Sequence, residues 1–191
     1  MKRLIVAITG ASGAIFGIRV LEALRGIDDV ESHLVLSPAA RRTVVEETDT
    51  SVAAIKKLAT VVHDYQDIGA SLSSGSYLTL GMLIAPCSVK TLSGIVNSYD
   101  DNLIVRAADV CLKERRRVVA LLRETPLHAG HIELMARATR IGVIVMPPVP
   151  AFYHRPKTID DIVDQTVGRA LDMFDLEVDL VKRWTEDTTA I

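Results

Sequence analysis

The stretch LIVAITGASGA at residues 4–14 decides the fold, because in it a buried strand runs directly into a turn of small residues. Residues 4–8 have the length and the β-branched, apolar composition of such a strand. A helical pattern over residues 14–25 follows the turn. Gly10 and Gly13 let the backbone N–H groups of the turn approach a ligand closely, and the start of a helix favours an anion such as phosphate.

The spacing of this first loop leaves two interpretations open. It matches neither the GxGxxG pattern of dinucleotide-binding proteins nor the GxxxxGK[ST] pattern of P-loops. A mononucleotide site and a purely structural turn are therefore both consistent with it. Ser12 either caps the helix or donates its hydroxyl to a ligand.

Strand and helix patterns alternate along the rest of the chain. Strands are predicted at residues 4–8, 32–36, 82–85, 118–122 and 143–146. Helices are predicted at residues 14–25, 39–47, 52–59, 102–113, 132–140 and 159–181. Such alternation predicts one α/β domain over residues 1–191, with a three-layer, Rossmann-like (flavodoxin-like) parallel sheet and helices on both faces. In such a fold ligands bind at the carboxyl ends of the strands.

The composition predicts a cytoplasmic protein without a nucleic-acid or membrane partner. The 191 residues are 49% hydrophobic with a formal net charge of -2, and their one dense basic cluster, residues 115–117, is too local for a nucleic-acid-binding face. Cys87 and Cys111 form neither a CxxC motif nor a set of metal ligands, which favours the reducing cytosol. The apolar run after Met1 is too short for a signal peptide, and no segment reaches the roughly 20 apolar residues that cross a membrane.

The segment PCSVKT at residues 86–91 repeats the pattern of the first loop, since it ends a strand and opens a helix. Ser88 and Thr91 bring two hydroxyls and Lys90 brings a cation. Together with backbone N–H groups, these side chains suit a phosphate. Cys87 is interpreted as a packing residue, because no histidine that could activate it lies nearby in the sequence.

The strand at residues 118–122 ends in RETPLH, residues 123–128. Arg123 suits an anionic or electron-rich group, and Glu124 suits a proton donor or acceptor. The alternative is a surface ion pair of little energetic value. His128 and His131 have a spacing that metal ligands can use, but a third ligand is missing, so helix capping or surface hydrogen bonding is the preferred interpretation.

Two further loops have a distinctive composition. Residues 71–76 are rich in serine and glycine, which predicts a mobile loop that either covers a site or lies idle on the surface. The segment PPVPAFYHRP at residues 147–156 is stiffened by prolines and suits recognition. Its Tyr153 alternatively packs against neighbouring residues.

Taken together, these segments resemble the UbiX-type flavin prenyltransferases, a family with the fold of the homo-oligomeric flavin-containing cysteine decarboxylases. The similarity covers nearly the whole chain. It depends on the order and spacing of TGASGA at 9–14, Ser37 at a strand end, PCSVKT at 86–91, LKERR at 112–116, RETPLH at 123–128 and PPVPAFYHRP at 147–156.

The resemblance implies an enzyme that transfers a dimethylallyl group from dimethylallyl monophosphate to N5 and C6 of reduced FMN, without a metal. The prenylated FMN then serves a partner UbiD-type aromatic-acid decarboxylase. The FMN contacts implied are Gly10, Ala11, Ser12, Ser37, Ser88, Val89, Lys90, Thr91 and Arg123. The residues implied around the prenyl donor are Lys113, Tyr153, Arg169 and Trp184.

The resemblance also implies catalytic roles and an assembly. Glu124 or the bound phosphate is expected to accept the proton, and Ser12 is expected to assist proton movement at the flavin N5. Glu47 is expected to be a further acidic site residue, with its neighbour Glu46 as the alternative. The family forms homododecamers, and a helix over residues 158–185 is expected to pack on a neighbouring subunit. For Lys113, Arg169 and Trp184 the alternatives are a solvated helix end, a helix-surface cation and a core or interface anchor.

Two other functions compete with prenyl transfer. The first is an FMN-dependent decarboxylase of a cysteine-containing substrate, which shares the fold and the FMN loops. In that branch a Pro-Ala-Ser-Ala-Asn-Thr-like loop is usual where this chain has PCSVKT. The second is a non-enzymatic flavin-binding subunit of a phenolic-acid (hydroxybenzoate) decarboxylase, which would not need a second phosphate site.

Overall fold

The computed structural model describes residues 1–183, and Trp184 lies outside the described residues. Within them a single six-stranded sheet is formed by β1 (Lys2–Ile8), β2 (Val30–Leu36), β3 (Val61–His63), β4 (Gly81–Cys87), β5 (Arg117–Leu122) and β6 (Val143–Val145). The strands lie in the order β3-β2-β1-β4-β5-β6, and every neighbouring pair is parallel. This is the strand order of a Rossmann-type doubly wound sheet, so the predicted fold class is confirmed.

Helices cover both faces of the sheet. Within residues 1–183 they are α1 (Ala14–Leu24), α2 (Pro38–Glu47), α3 (Val52–Leu58), α4 (Val89–Val96), α5 (Leu103–Lys113), α6 (Ala129–Arg140) and α7 (Ile159–Asp172). Leu4, Val6 and Ile8 of β1 point to one face and pack with α1, α2, α3 and α7. Ile5 and Ala7 point to the other face and pack with α4, α5 and α6. The alternation of side chains along a strand thus produces two cores, one on each face.

The five predicted strands are all present, and β3 is the strand that the sequence pattern missed. It has only three residues, and they are partly or wholly exposed at the edge of the sheet. Residues 71–76, expected to form a mobile loop, contain a short 3-10 helix at Ser71–Ser73 instead. Leu72 of this helix is buried, and Arg116 donates hydrogen bonds to the carbonyl groups of Gly75 and Tyr77 just after it.

The prediction of a last helix running to residue 181 is wrong, because α7 ends at Asp172. Phe174 and Leu176 are both buried. Side chains two positions apart on a helix point to nearly opposite sides, so both could not enter the same core if the helix continued. The chain therefore leaves the helix at this point, with Asp175 in the left-handed region at φ 57°. Arg117 holds the turn by donating to the carbonyl of Met173 at 2.6 Å. No helix within residues 1–183 is long and apolar enough to cross a membrane.

Candidate functional site

The candidate site lies at the carboxyl ends of β1 and β4, where the direction of winding reverses. These two strands are neighbours at the centre of the sheet, but α1 follows β1 to one face and α4 follows β4 to the other. The loops that leave them therefore separate and open a crevice. Doubly wound sheets bind ligands at such a switch point.

Thr9 holds the two loops together, a role that sequence reasoning did not assign. This residue is buried at the end of β1. Its hydroxyl donates to the carbonyl of Pro86 at 2.8 Å and accepts from the backbone N–H of Ser88 at 2.8 Å, while its own N–H donates to the same Pro86 carbonyl at 3.2 Å. One side chain thus satisfies backbone groups of both loops and fixes their spacing.

Two helices begin at this crevice with serine caps. Ser37 caps α2 and accepts a hydrogen bond from the N–H of Ala40 at 3.1 Å, and Ser88 caps α4 and accepts one from the N–H of Thr91 at 3.3 Å. The Ser88 hydroxyl also donates to Oγ1 of Thr91 at 3.1 Å. Two helix starts and three hydroxyl groups close together favour an anion.

These groups line a cleft of 460 Å³. Residues predicted from the sequence that line it are Gly10, Ser37, Ser88, Lys90 and Thr91. Gly10 is required for the close packing of the first loop against α2, since a Cβ atom at this position would overlap with the Cβ of Ala39. The structure therefore brings the two predicted phosphate loops and the end of β2 into one site.

Tyr65, Gln66 and Asp101 also line the cleft and were missed by sequence reasoning. Tyr65 and Gln66 follow β3, so recognising that short strand would have placed them at the carboxyl edge of the sheet. Asp101 lies just before α5, and the N–H of Leu103 donates to the carbonyl of Tyr65 at 2.9 Å. That backbone contact brings both segments to the cleft.

The carboxylate of Glu47 reaches the first loop from the last turn of α2. Its Oε2 accepts hydrogen bonds from the N–H groups of Gly13 at 2.8 Å and Ala14 at 3.2 Å. Desolvation raises the pKa of the Glu47 carboxyl, but the Ser12 hydroxyl, these two N–H groups and the charge of Arg123 outweigh it and hold the pKa below its ordinary value. In this structure the anion at the start of α1 is therefore the protein's own carboxylate.

The same geometry decides two alternatives that the sequence left open. Glu46 faces solvent and forms an ion pair with Arg42 at 2.7 Å, so Glu47 is the glutamate at the loop. Ser12 does not cap α1, because the N-cap is Gly13 in the left-handed region at φ 103°, and the side chain that accepts from the first N–H groups of the helix is that of Glu47. The Ser12 hydroxyl bonds Glu47 instead.

Arg123 and Glu124 follow β5, next to the end of β4. The backbone N–H of Arg123 donates to the carbonyl of Cys87 at 3.0 Å, which fixes the start of this loop beside the cleft. The guanidinium of Arg123 is exposed and acts electrostatically on Glu47. Glu124 is half-buried, and its Oε1 accepts from the N–H of Thr125 at 3.0 Å. Both residues thus follow the strand next to β4, but neither side chain lines the cleft.

Of the residues assigned to the prenyl donor, the three that lie within residues 1–183 (Lys113, Tyr153 and Arg169) do not line this cleft. Lys113 is the last residue of α5 and forms an ion pair with Glu114. Because β5 begins four residues after Lys113, Lys113 lies at the amino end of that strand, whereas the cleft lies at the carboxyl ends. Arg169 lies on α7 and pairs with Asp172 at 2.8 Å. Tyr153 lies in the loop after β6, where its hydroxyl accepts a hydrogen bond from Gln165 at 2.7 Å.

Cys87 and His128 both have structural roles. Cys87 is fully buried, and desolvation raises the pKa of its thiol to about 12, which confirms the packing interpretation. His128 caps α6, since its Nδ1 accepts from the N–H of Gly130 at 3.0 Å, and its ring stacks on that of His131. The capping interpretation is thus confirmed for His128.

Comparison with known proteins decides the family. The flavoprotein family model matches residues 1–171. The flavin prenyltransferase UbiX of Escherichia coli strain K12 is 60% identical over 186 residues, which cover 96% of this chain and 98% of the relative. The chain belongs to the UbiX family of flavin prenyltransferases.

Solved structures of UbiX proteins share the whole fold. AnUbiX (PadA1), in complex with FMN and dimethylallyl pyrophosphate, is 49% identical with a TM-score of 0.94, covering 96% of this chain and 97% of that one. A dodecameric FMN-dependent UbiX-like decarboxylase from Escherichia coli O157:H7 is 48% identical with a TM-score of 0.93, covering 96% of this chain and 99% of that one. The peptidyl-cysteine decarboxylase EpiD, at 16% identity and a TM-score of 0.60, shares only the fold.

Proposed function

We propose that this protein is a flavin prenyltransferase that transfers a dimethylallyl group from dimethylallyl monophosphate to N5 and C6 of reduced FMN. The cleft at the switch point is the observation that carries the proposal, because its hydroxyl groups and helix starts suit the phosphate of a mononucleotide. The UbiX relatives, which cover nearly the whole chain, support it.

The residues of the cleft fit FMN. Ser37, Ser88 and Thr91 would hold the flavin phosphate at the starts of α2 and α4, with Lys90 adding positive charge. Gly10, Ala11 and Val89 would contribute backbone contacts. The hydrogen bonds from Thr9 to Pro86 and Ser88 fix the distance between the first loop and the second, so the site is preorganised before FMN binds.

Reduced FMN, when bound, supplies the nucleophilic N5 and C6 atoms. Ser12 is held next to the ionised Glu47, so its hydroxyl is oriented to pass a proton at N5. Glu124, in the loop after β5, would be the base that accepts the C6 proton. Arg123 would bind the electron-rich edge of the flavin and keep Glu47 ionised.

Breaking the allylic C–O bond of the donor leaves a phosphate group whose charge must be stabilised. Lys113 and Arg169 would do this by charge-assisted hydrogen bonds, together with the Tyr153 hydroxyl. Three such donors handle a monophosphate without a metal, so we expect a chelator to leave the rate unchanged.

Lys113 would act on the site of another subunit. Within one subunit it lies at the other edge of the sheet from the cleft, about the length of a strand away, on the order of 20 Å. A homododecamer with its sites at subunit junctions brings such residues together, and a close structural relative is dodecameric. The prenylated FMN would be delivered in the cytoplasm to a UbiD-type aromatic-acid decarboxylase.

The test is anaerobic incubation of the protein with reduced FMN and dimethylallyl monophosphate, with a chelator present, followed by mass spectrometry of the released flavin. We expect a mass gain of one C5H8 unit. A parallel reaction contains dimethylallyl pyrophosphate, the ligand of the solved relative, and we expect it to be slower. Bound but unaltered FMN with either donor would contradict prenyl transfer and favour a decarboxylase or an accessory subunit.

A further inference from the structure

Asp101, a cleft residue without an assigned role, carries a carboxylate whose position is fixed by Asn102. The Asn102 side chain is buried and caps α5, since its Oδ1 accepts from the N–H groups of Ile104 at 3.0 Å and Val105 at 3.2 Å. A backbone N–H can only donate, so Oδ1 faces the helix, and Nδ2 faces the Asp101 carboxylate, to which it donates. One oxygen of Asp101 is thus held by a side chain whose orientation the helix determines.

Two backbone hydrogen bonds also anchor the segment around Asp101. The N–H of Asp101 donates to the carbonyl of Tyr99 at 2.9 Å, and the N–H of Leu103 donates to the carbonyl of Tyr65 at 2.9 Å. The second carboxylate oxygen of Asp101 has no hydrogen-bond or ion-pair partner among residues 1–183. Asp101 therefore lines the cleft with one carboxylate oxygen satisfied and the other available to a ligand.

The start of α4 presents hydrogen-bond donors to the same cleft. The Ser88 hydroxyl donates to Oγ1 of Thr91, so the hydrogen of the Thr91 hydroxyl is left for a ligand. Lys90 also lines the cleft, and it forms no ion pair with Asp101 or with any other residue in the described range 1–183. An ionised phosphate only accepts hydrogen bonds, so it matches these donors. A carboxylate only accepts as well, and its charge repels a phosphate.

The carboxylate of Asp101 therefore calls for a ligand that also carries hydrogen-bond donors. FMN supplies them, because the ribityl chain next to its phosphate has hydroxyl groups that can donate. Asp101 lies beside the start of α4, since Asp101, Lys90 and Thr91 also border a second cavity, of 280 Å³, between α4 and α5. The flavin ring instead has to reach Ser12 and the loop after β5, where the proposed reaction takes place.

We propose that Asp101 binds a hydroxyl group of the ribityl chain of FMN, and that Asn102 is the positioning residue that holds the Asp101 carboxylate for this contact. The inference rests on the proposed placement of the FMN phosphate at the starts of α2 and α4. The cleft thereby recognises a phosphorylated polyol, with donors for the phosphate and an acceptor for a hydroxyl group. Because Asn102 fixes the carboxylate before FMN arrives, little rotamer freedom is lost on binding.

The test compares oxidised FMN with an oxidised analogue in which an unsubstituted phosphopentyl chain replaces the ribityl phosphate. Titrations followed by flavin fluorescence give the Kd of each flavin. We expect Asp101→Ala to raise the Kd of FMN about 10-fold, as for loss of a hydrogen bond to a charged group, and to leave the Kd of the analogue unchanged or lower. The matched control is Asp28→Ala, which removes the same charge from the turn before β2, at the amino end of the sheet, and should change neither Kd.

Asn102→Ser tests the positioning role. Serine still caps α5 but lacks the Nδ2 group that donates to Asp101. We expect Asn102→Ser to raise the Kd of FMN about 3-fold, to leave that of the analogue unchanged, and to add nothing on the Asp101→Ala background.

Equal effects of Asp101→Ala on both flavins would overturn the inference, as would a lower Kd of FMN in this variant, because the carboxylate would then only repel the phosphate. Equal Kd values of the two flavins for the wild-type protein would overturn it too. Riboflavin that binds as tightly as FMN would instead refute the phosphate placement on which the inference rests. If Asp101→Ala does not fold, as judged by thermal melting, Asp101→Asn provides the same comparison, since its NH2 group would replace the free oxygen.

Discussion

At the residue scale, the carboxylate of Glu47 makes a contribution to stability that depends on its charge. It binds two N–H groups at the positive end of α1 and interacts with Arg123. We expect Glu47→Gln to lower the free energy of unfolding by about 0.5–1 kcal/mol near neutral pH, the range for a charge at a helix terminus. Glu46→Gln is the control, since Glu46 pairs with Arg42 in solvent and should change stability very little.

The pH dependence of this contribution follows from the sign of the shift. The pKa of Glu47 is lowered by folding, so the stabilisation is fully present above the ordinary pKa of 4.5 and is lost as the pH falls through the lower, folded-state pKa. Urea unfolding of both proteins over this range should show the wild-type advantage shrinking towards acid. A difference that grows as the pH falls would contradict the assignment.

Single residues also show how far the sequence could be interpreted. Gly10, Ser88 and Thr91 could be placed at one site because parallel strands all end at the same edge. The choice between Glu46 and Glu47 could not be made, since neighbouring residues on a helix point about 100° apart and only the contact with the first loop distinguishes them. The contacts of Gln165 were missed because its two partners are 12 and 17 residues away in sequence.

At the scale of secondary-structure elements, the segment after α7 depends on a glycine. Gly168→Ala should displace Leu180 and Val181 and break the hydrogen bond from Lys182 to Gln165. The helix itself is not weakened, because alanine has the higher helix propensity. We expect faster hydrogen exchange and proteolysis in residues 176–183. Gly26→Ala is the control, since its Cβ would meet only the Ala23 carbonyl at 3.4 Å, and unchanged exchange in Gly168→Ala would contradict the packing role.

Elements were predicted best where a strand is long and fully buried. The strands β1, β2, β4 and β5 are six or seven residues long, and each contains an apolar run of three to five residues that indicates a buried strand. The three residues of β3 carry too little pattern, and their pairing with β2 depends on a distant part of the chain. The end of α7 was misplaced because the apolar spacing continues past Asp172, whereas Phe174 and Leu176 both enter the core and require a turn.

At the scale of the whole molecule, the positions of Lys113 and Glu124 predict a site shared between subunits. Lys113→Ala and Glu124→Gln should each abolish most prenyl transfer as pure oligomers. Mixed oligomers assembled from both variants should regain activity, because some junctions combine an intact Lys113 from one subunit with an intact Glu124 from the next. In a random equal mixture this applies to about a quarter of the sites, if two subunits form each site.

The activity of mixed oligomers is compared with that of the two pure variants at equal protein concentration. Full recovery is not expected, since most junctions still carry at least one substitution. Activity that stays at the mean of the two pure variants would show that Lys113 and Glu124 serve the same subunit or separate steps. Size-exclusion chromatography confirms that the mixed oligomers have assembled.

The hydrogen bonds of Thr9 join the loops after β1 and β4 at the place where the FMN-binding residues meet. The stability of the folded chain therefore depends on the supply of FMN. Groups from β1, β2 and β4 come together only in the native chain, so FMN has no comparable site on the unfolded chain. By mass action, a ligand at a hundred times its Kd adds about 2.7 kcal/mol to the stability of the folded state. A cell short of riboflavin would therefore lose part of the protein itself as well as its substrate.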